Sequence, residues 1–499
     1  MAVKVLGATL QGIEGLPIEV EVDLLRRLPR VAIVGLAANA VQESAERIRS
    51  AILSVGSDFP RQRVVVNLAP ADVRKDGTLL DLPIAIGILA ADGRIPEAAL
   101  ERVLLVGELS LGGELRPLRG AISLATLARD LKRTLILPRE VAALAAHVPH
   151  ADVRAAGSLA EVIGFLDGTL DLPAVTAHRA DRAPTTPYDL ADVRGQPLAR
   201  RALEIAAAGG HHLLFMGPPG CGKSMLARRL PTILPPMTDE ESLATTRVHA
   251  AAGLLADGPE LLPHRPFRAP HHTVTVAGMI GDRRLRPGEA SLAHHGVLFL
   301  DEASEFSRTV LEVLRTPLEE GAIRLVRAEG AIEYPARMML VMASNPCPCG
   351  RRGSAQPCLC TDADVHRYRR RLSGPILDRI DLHVELDAVP AHDLLRAPPG
   401  EPSLAVRDRV CEARNRQTDR GQACANGALE PSDLDRVARL TATGRDLLEQ
   451  GMRTLALTGR STSRILRVAR TIADLDGSDA VEERHVSEAL TFRPVDGTV

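Results

Sequence analysis

Aromatic residues are nearly missing from this chain of 499 residues, which has no Trp, three Tyr and seven Phe. A surface that stacks successive bases on rings is therefore excluded as its main way of holding a nucleic acid strand. Lysine is almost as rare: Lys4, Lys75, Lys132 and Lys223 are the only four among 61 basic residues. Arginine is the default cation, so a lysine kept at position 223 points to a need for a compact ammonium there. No run approaches the roughly 18 apolar residues of a membrane span, and Met1–Gly7 has no signal-peptide apolar region. The expectation is a soluble, cytoplasmic protein with no membrane partner. Its seven cysteines should then be thiols or metal ligands rather than disulfides. Net charge is −2, which removes any global basic field. Nucleic-acid contact would have to come from local patches or a ring of subunits, through arginines and backbone amides to phosphates.

What is present starts with Gly217-Pro218-Pro219-Gly220-Cys221-Gly222-Lys223-Ser224, which fits the phosphate-loop pattern at every fixed position. His211–Met216 before it reads as a buried strand, and Met225–Leu230 after it as a helix. That context brings backbone N–H groups to one point around a polyphosphate. Lys223 adds charge for the outer phosphates, and the Ser224 hydroxyl can reach Mg²⁺. Downstream, Gly296–Leu300 is an apolar strand that ends in Asp301 and Glu302. Asp301 would hold Mg²⁺, directly or through water, and Glu302 would polarise the attacking water. Together these segments predict an ATPase.

Further segments add to this. Met338–Ser344 reads as another buried strand, and Asn345 at its end either orients the water or simply forms a turn before Pro346. Arg379, between Asp378 and Asp381, is either a surface ion pair or an arginine finger for a neighbouring subunit's ATP. Cys347, Cys349, Cys358 and Cys360 form two Cys-x-Cys pairs separated by eight residues. Four thiolates suit tetrahedral Zn²⁺, although free thiols or a redox pair fit this tight spacing too. His271 and His272, on an extended segment, are expected on opposite faces with a structural role.

The chain divides by pattern into residues 1–170, a linker at 171–187, an alternating strand and helix core at 188–390, and a helical segment at 391–499. Strands are expected at Val3–Leu10, Ile18–Val22, Ala32–Val34, Val64–Leu68 and Val103–Val106, and helices at Gln42–Ser54, Ile84–Ala91 and Gly120–Leu131. Ile465, Leu466, Ala469, Ile472 and Ala473 mark one apolar helix face.

The order of Asp192–Gln196, the phosphate loop, the Asp301-Glu302 strand, Asn345, Leu377-Asp378-Arg379 and a helical lid resembles an AAA+ ATPase. Phe267–His272, Ser344–Gly350, Ser373–Arg379 and Arg467–Leu475 narrow this to the ComM/YifB family of magnesium-chelatase-like AAA+ proteins. The resemblance implies an α/β and α+β multidomain chain. It comprises an N-terminal Lon-protease-like (ribosomal S5 domain 2-like) domain, a P-loop AAA+ α/β core and a C-terminal helical lid. It implies ATP and Mg²⁺ as cofactors and a homo-oligomeric ring, usually a hexamer. Its activity would be DNA translocation or branch migration during natural transformation, on branched or single-stranded DNA. By position, Asn345 would be sensor 1, Arg379 the finger, and Arg460 the lid's sensor 2, with Arg464 as alternative. Gly321–Tyr334 would be a hairpin carrying Arg324 and Arg327, either pore-facing or plainly solvated. Lys75-Asp76-Gly77 and Val106–Leu109 resemble the Lon protease domain, but Asp81 and Ile122 fall where its serine and lysine belong, so peptidase chemistry is not expected. Two other functions stay open: a chelatase-type motor acting on a protein partner, and a protease-like regulator.

Overall fold

A computed structural model describes all residues except 1, 36–38, 72, 74, 76–77, 178–186, 256–259, 284, 328–329, 354–355, 373, 389–391, 393–395, 456 and 494–499. Asp76 and Gly77, most of the expected linker, residues 389–391 and 393–395 at the expected boundary after 390, and Ser373 lie outside the described residues. The chain forms two compact units, each discontinuous in sequence. One holds Met1–Arg182, Asp239–Pro263 and Arg324–Tyr334; the other holds Ala183–Thr238, His264–Ile323 and Pro335–Val499. The contiguous segments expected from the sequence do not include the two returns to the first unit, Asp239–Pro263 and Arg324–Tyr334. No helix among the described residues is long and apolar enough to cross a membrane.

The first unit starts with alternating residues that make a sheet with one dry face. Strands β1 (Val3–Gln11), β2 (Glu14–Leu25), β3 (Arg30–Val34) and β4 (Arg63–Ala69) lie in the order β1-β2-β4-β3. Val3 and Val5, then Ile18, Val20 and Val22, then Val64, Val66 and Leu68 all point inward. They pack against the helix Asp81–Ala91, which is buried from Asp81 to Ala90. A parallel sheet of β5 (Val103–Leu105), β8 (Thr134–Pro138) and β9 (Val153–Ala156) completes the unit, beside the short pair β6 (Glu108–Leu109) and β7 (Leu115–Arg116). Asp81 is buried in an ion pair with Arg47 at 2.6 Å, and Ile122 is buried among apolar side chains. Lys75 is buried too, its ammonium donating to the Pro70 carbonyl.

The hairpin of β13 (Ala322–Arg327) and β14 (Gly330–Pro335) contributes its outer part to this unit. Leu325, Ile332 and Tyr334 are buried, and a Cβ on Gly12 would lie 2.7 Å from Ile332. The hairpin is therefore packed on the β1–β2 turn rather than plainly solvated. Arg324 is exposed and pairs with Glu333 at 2.6 Å; the Arg327 side chain lies outside the described residues.

The second unit is built on five parallel strands: β10 (Leu213–Met216), β11 (Phe267–Arg268), β12 (Val297–Leu300), β15 (Met339–Ser344) and β16 (Leu382–Glu385). Their order is β11-β12-β15-β10-β16, so the first strand in sequence sits between the fourth and fifth. The short apolar runs at Leu213–Phe215, Val297–Leu300 and Leu340–Ala343 are buried, as strands covered on both faces must be. The helices Pro197–Gly209 and Lys223–Ile233 belong to the same core. The C-terminal helices Ser403–Asp419, Pro431–Ala438, Ala442–Thr454, Gly459–Leu475 and Glu483–Thr491 form the helical region. In Gly459–Leu475 the apolar face is buried at Ile465, Ala469, Ile472 and Ala473.

A buried polar knot ties that helix to the sheet. His211 lies 3.1 Å from Asp381 through Nδ1 and 2.8 Å from Thr471 through Nε2. Asn426 donates to Thr471 at 3.1 Å and to Asp474 at 2.8 Å, and Arg470 donates to Asp474 at 2.8 Å. His211, Thr471, Asn426 and Asp474 thus find partners where an unmatched buried polar group would cost about 1–3 kcal/mol.

Candidate nucleotide site

Strands β10, β12 and β15 end within two residues of one another, and that register assembles the site. Met216 is opposite Ser344, and Leu300 is opposite Met342. Gly217, Asn345 and Asp301 therefore leave the sheet at the same edge, the carboxyl ends where parallel sheets bind ligands. Gly217 must be glycine, because a Cβ there would lie 2.5 Å from the Leu386 carbonyl oxygen. Gly222, with φ +97°, turns the chain into the helix starting at Lys223.

Ser224 Oγ donates to Asp301 Oδ2 at 2.7 Å, placing two hard oxygen ligands together. Lys223 Nζ donates to the carbonyls of Gly217 (2.6 Å) and Pro218 (3.0 Å) and to Asn345 Oδ1 (3.1 Å). Burial holds the Lys223 ammonium below its ordinary pKa, while Cys221, Asp301 and Glu302 pull the other way. Glu302 has φ 50° and ψ 47°, a left-handed backbone unusual for a residue with a side chain. This turns its carboxylate out of the strand, and it stays exposed.

His271 and His272 are not on opposite faces. Their rings lie 4.0 Å apart, because the segment turns at His271, whose carbonyl accepts from Val274 N (2.9 Å). His272 Nδ1 is 3.8 Å from Glu302 Oε2, a neighbour that the extended reading missed.

Arg379 and Arg460 lie elsewhere. Arg379 comes three residues before β16, whose Leu382 is level with Leu213, the start of β10. It is therefore at the opposite end of the sheet from Lys223. It is buried, donating to the Glu319 carboxylate and the Pro375 carbonyl. Exposed Arg460 reaches the same Glu319 oxygen at 4.0 Å. Arg464 is instead a buried partner of Asp381 at 3.8 Å, and burial lowers its pKa to about 10. Glu319 had no signal in the sequence, since 60 residues separate it from Arg379.

The four cysteine sulfurs all lie within 4.8 Å of one another. Cys347–Cys349, Cys347–Cys358 and Cys349–Cys358 are 3.5, 3.7 and 3.6 Å apart. Disulfide sulfurs would be about 2.05 Å apart. A tetrahedron with metal–sulfur bonds of about 2.3 Å has edges of about 3.8 Å. A hydrogen bond from the Arg351 backbone, followed by the neighbouring thiols, draws Cys349 down to about 6.

Similarity to known proteins follows the same layout. Residues 189–394 match the family described as magnesium chelatase, subunit ChlI; residues 20–141 match subunit ChlI of Mg-chelatase; and residues 400–493 match the subunit's C-terminal family. The chain is 41% identical over 492 residues to competence protein ComM of Haemophilus influenzae, covering 97% of this chain and 95% of the relative. It is 42% identical over 489 residues to YifB of Salmonella typhimurium, covering 97% and 96%. The chain belongs to the ComM/YifB family of magnesium-chelatase-like AAA+ ATPases. A shorter stretch of 142 residues, 28% of this chain and 26% of the relative, is 30% identical to the Holliday junction branch migration complex subunit RuvB of Rhodopirellula baltica.

Proposed function

We propose that this member of the family is a ring-forming ATPase that moves DNA, as a translocase or branch-migration helicase in recombination during natural transformation. The observation that carries the ring is the division of the site. Lys223, Ser224, Asp301, Glu302 and Asn345 stand at one edge of the sheet, while Arg379 and Arg460 stand at the other. One subunit holds half of a phosphoryl-transfer site, and the next supplies both arginines; a hexamer is the ring size we infer.

In this reading Lys223 offsets charge on the outer phosphates, and the backbone of Gly217–Gly222 cradles them. Ser224 and Asp301 would hold Mg²⁺, which would supply charge neutralisation to the bound phosphates. Glu302 accepts a proton from the attacking water, and Asn345 orients that water. Arg379 and Arg460 of the neighbouring subunit stabilise charge in the transition state, a term of about 10³–10⁵ in rate for a finger. Cys347, Cys349, Cys358 and Cys360 fit Zn²⁺, which would brace their loop. We infer a Lon-protease-like N-terminal unit without peptidase chemistry, because an Arg47-paired Asp81 and an apolar Ile122 supply neither nucleophile nor base.

DNA as the substrate is supported by full-length similarity to a competence protein and by the partial similarity to a branch-migration subunit. The test is ATP hydrolysis with and without forked or four-way-junction DNA, together with movement of a labelled junction. Stimulation and movement are expected. Neither effect in an active, assembled ATPase would overturn the DNA reading.

A further inference from the structure

Six arginines and two aspartates fall between Arg351 and Arg371, in a chain whose net charge is −2. This is the kind of local patch a near-neutral protein needs to hold a polyanion. Arg351, Arg352, Arg367 and Arg370 are exposed. The acids offset only part of that charge: Asp362 pairs with Arg352 at 3.0 Å, and Asp364 lies 3.8 Å from Arg367. Arg370 makes no ion pair among the described residues. Between two of the clustered cysteines, Leu359 is 85% exposed, an apolar tip on a basic surface.

The inner side of the same element is fastened to the nucleotide site. A Cβ on Gly350 would lie 2.8 Å from Pro219, so the loop rests directly on the phosphate loop. Cys347, two residues past Asn345, is fully buried. The Tyr368 hydroxyl faces Ser304 and Ser344, which hydrogen-bond each other at 2.6 Å. Arg371 pairs at 3.0 Å with Glu305, just beyond Glu302.

We propose that this cysteine-held element is a DNA-contacting arm. Arg351, Arg352, Arg367 and Arg370 bind backbone phosphates, and Leu359 lies against a sugar or base step. The anchors on Pro219, Ser304 and Glu305 carry the contact to the ATP site. Arginine and an exposed apolar wedge are the side chains that such contacts use. The inference rests on the DNA reading above, but not on the metal.

The experiment uses full-length protein, a labelled four-way junction and titrations over a range of salt. Arg367→Glu/Arg370→Glu should bind the junction at least about tenfold more weakly. Arg367→Ala/Arg370→Ala should fall between it and wild type, with the salt slope reduced by about one for each lost phosphate contact. Leu359→Ser should lose DNA-stimulated hydrolysis. Hydrolysis without DNA should be unchanged in all three, which also shows that they fold. Wild-type affinity, salt slope and stimulation in the variants would overturn the arm. So would loss of ring assembly with DNA affinity retained, since the patch would then serve a neighbouring subunit. A wild-type protein that neither binds nor responds to the junction would instead overturn the DNA reading itself.

Discussion

The Glu319 carboxylate holds Arg379, and Arg460 approaches the same oxygen at 4.0 Å. One anion thus gathers two cations that come from different parts of the chain. Without it the guanidinium groups would repel each other, and Arg379 would keep only its bond to the Pro375 carbonyl. Glu319→Ala should lower turnover at saturating ATP by about tenfold, the scale of a charge-assisted hydrogen bond. Nucleotide binding should be nearly unchanged, because the phosphate loop is at the other end of the sheet. Turnover and binding of a fluorescent ATP analogue, measured side by side, check the split; an equal loss in both would contradict it.

Glu302→Gln keeps the size of the side chain and removes its basicity. ATP should still bind, since Lys223 and the loop backbone are untouched, while hydrolysis falls by about 10² or more. Single-turnover hydrolysis beside equilibrium binding reads this. Surviving turnover would move the water-polarising role to another residue.

The cysteine geometry predicts about one zinc per chain in purified protein. Cys358→Ser should lose the metal and lower the melting temperature. Elemental analysis of both proteins decides this, and wild-type protein without stoichiometric zinc contradicts it.

Acid should destabilise the second unit. His212 Nδ1 accepts from Leu340 N at 3.0 Å, and His294 Nδ1 accepts from Arg337 N at 3.1 Å, so both rings must stay unprotonated there. Burial is the main cause that lowers them from 6.5, to about 4 and about 3, and it lowers His383 to about 4. The unfolded chain therefore takes up protons first as pH falls. Stability is complete above about pH 6.5 and is lost toward pH 4, at about 1.4 kcal/mol per pH unit for each unmatched proton. Melting temperatures from pH 7.5 to 4.5 should fall through that window, and His294→Asn should flatten the slope. A flat wild-type profile would contradict the assignment.

Residues bound into local patterns were legible in the sequence. The alternation in β1, β2 and β4 located that sheet, and apolar runs ending in polar residues located β10, β12 and β15. These predict strands because burial on one or both faces leaves a period that can be read. Short strands such as β6 and β7 have too few residues to show one. The Glu319 contact, the packing of the hairpin on Gly12 and the side-by-side rings of His271 and His272 depend on tertiary placement. A turn at His271 defeated the extended reading, and no spacing rule links Glu319 to Arg379.

The division of the site is tested most directly by mixing subunits. Arg379→Ala protein keeps its phosphate loop, and Lys223→Ala protein keeps its arginines. Each alone should be nearly inactive, and the mixture should regain a clear fraction of wild-type hydrolysis. Arg460→Ala should be rescued in the same way. A mixture no more active than its two components would contradict an ATP site shared between neighbouring subunits.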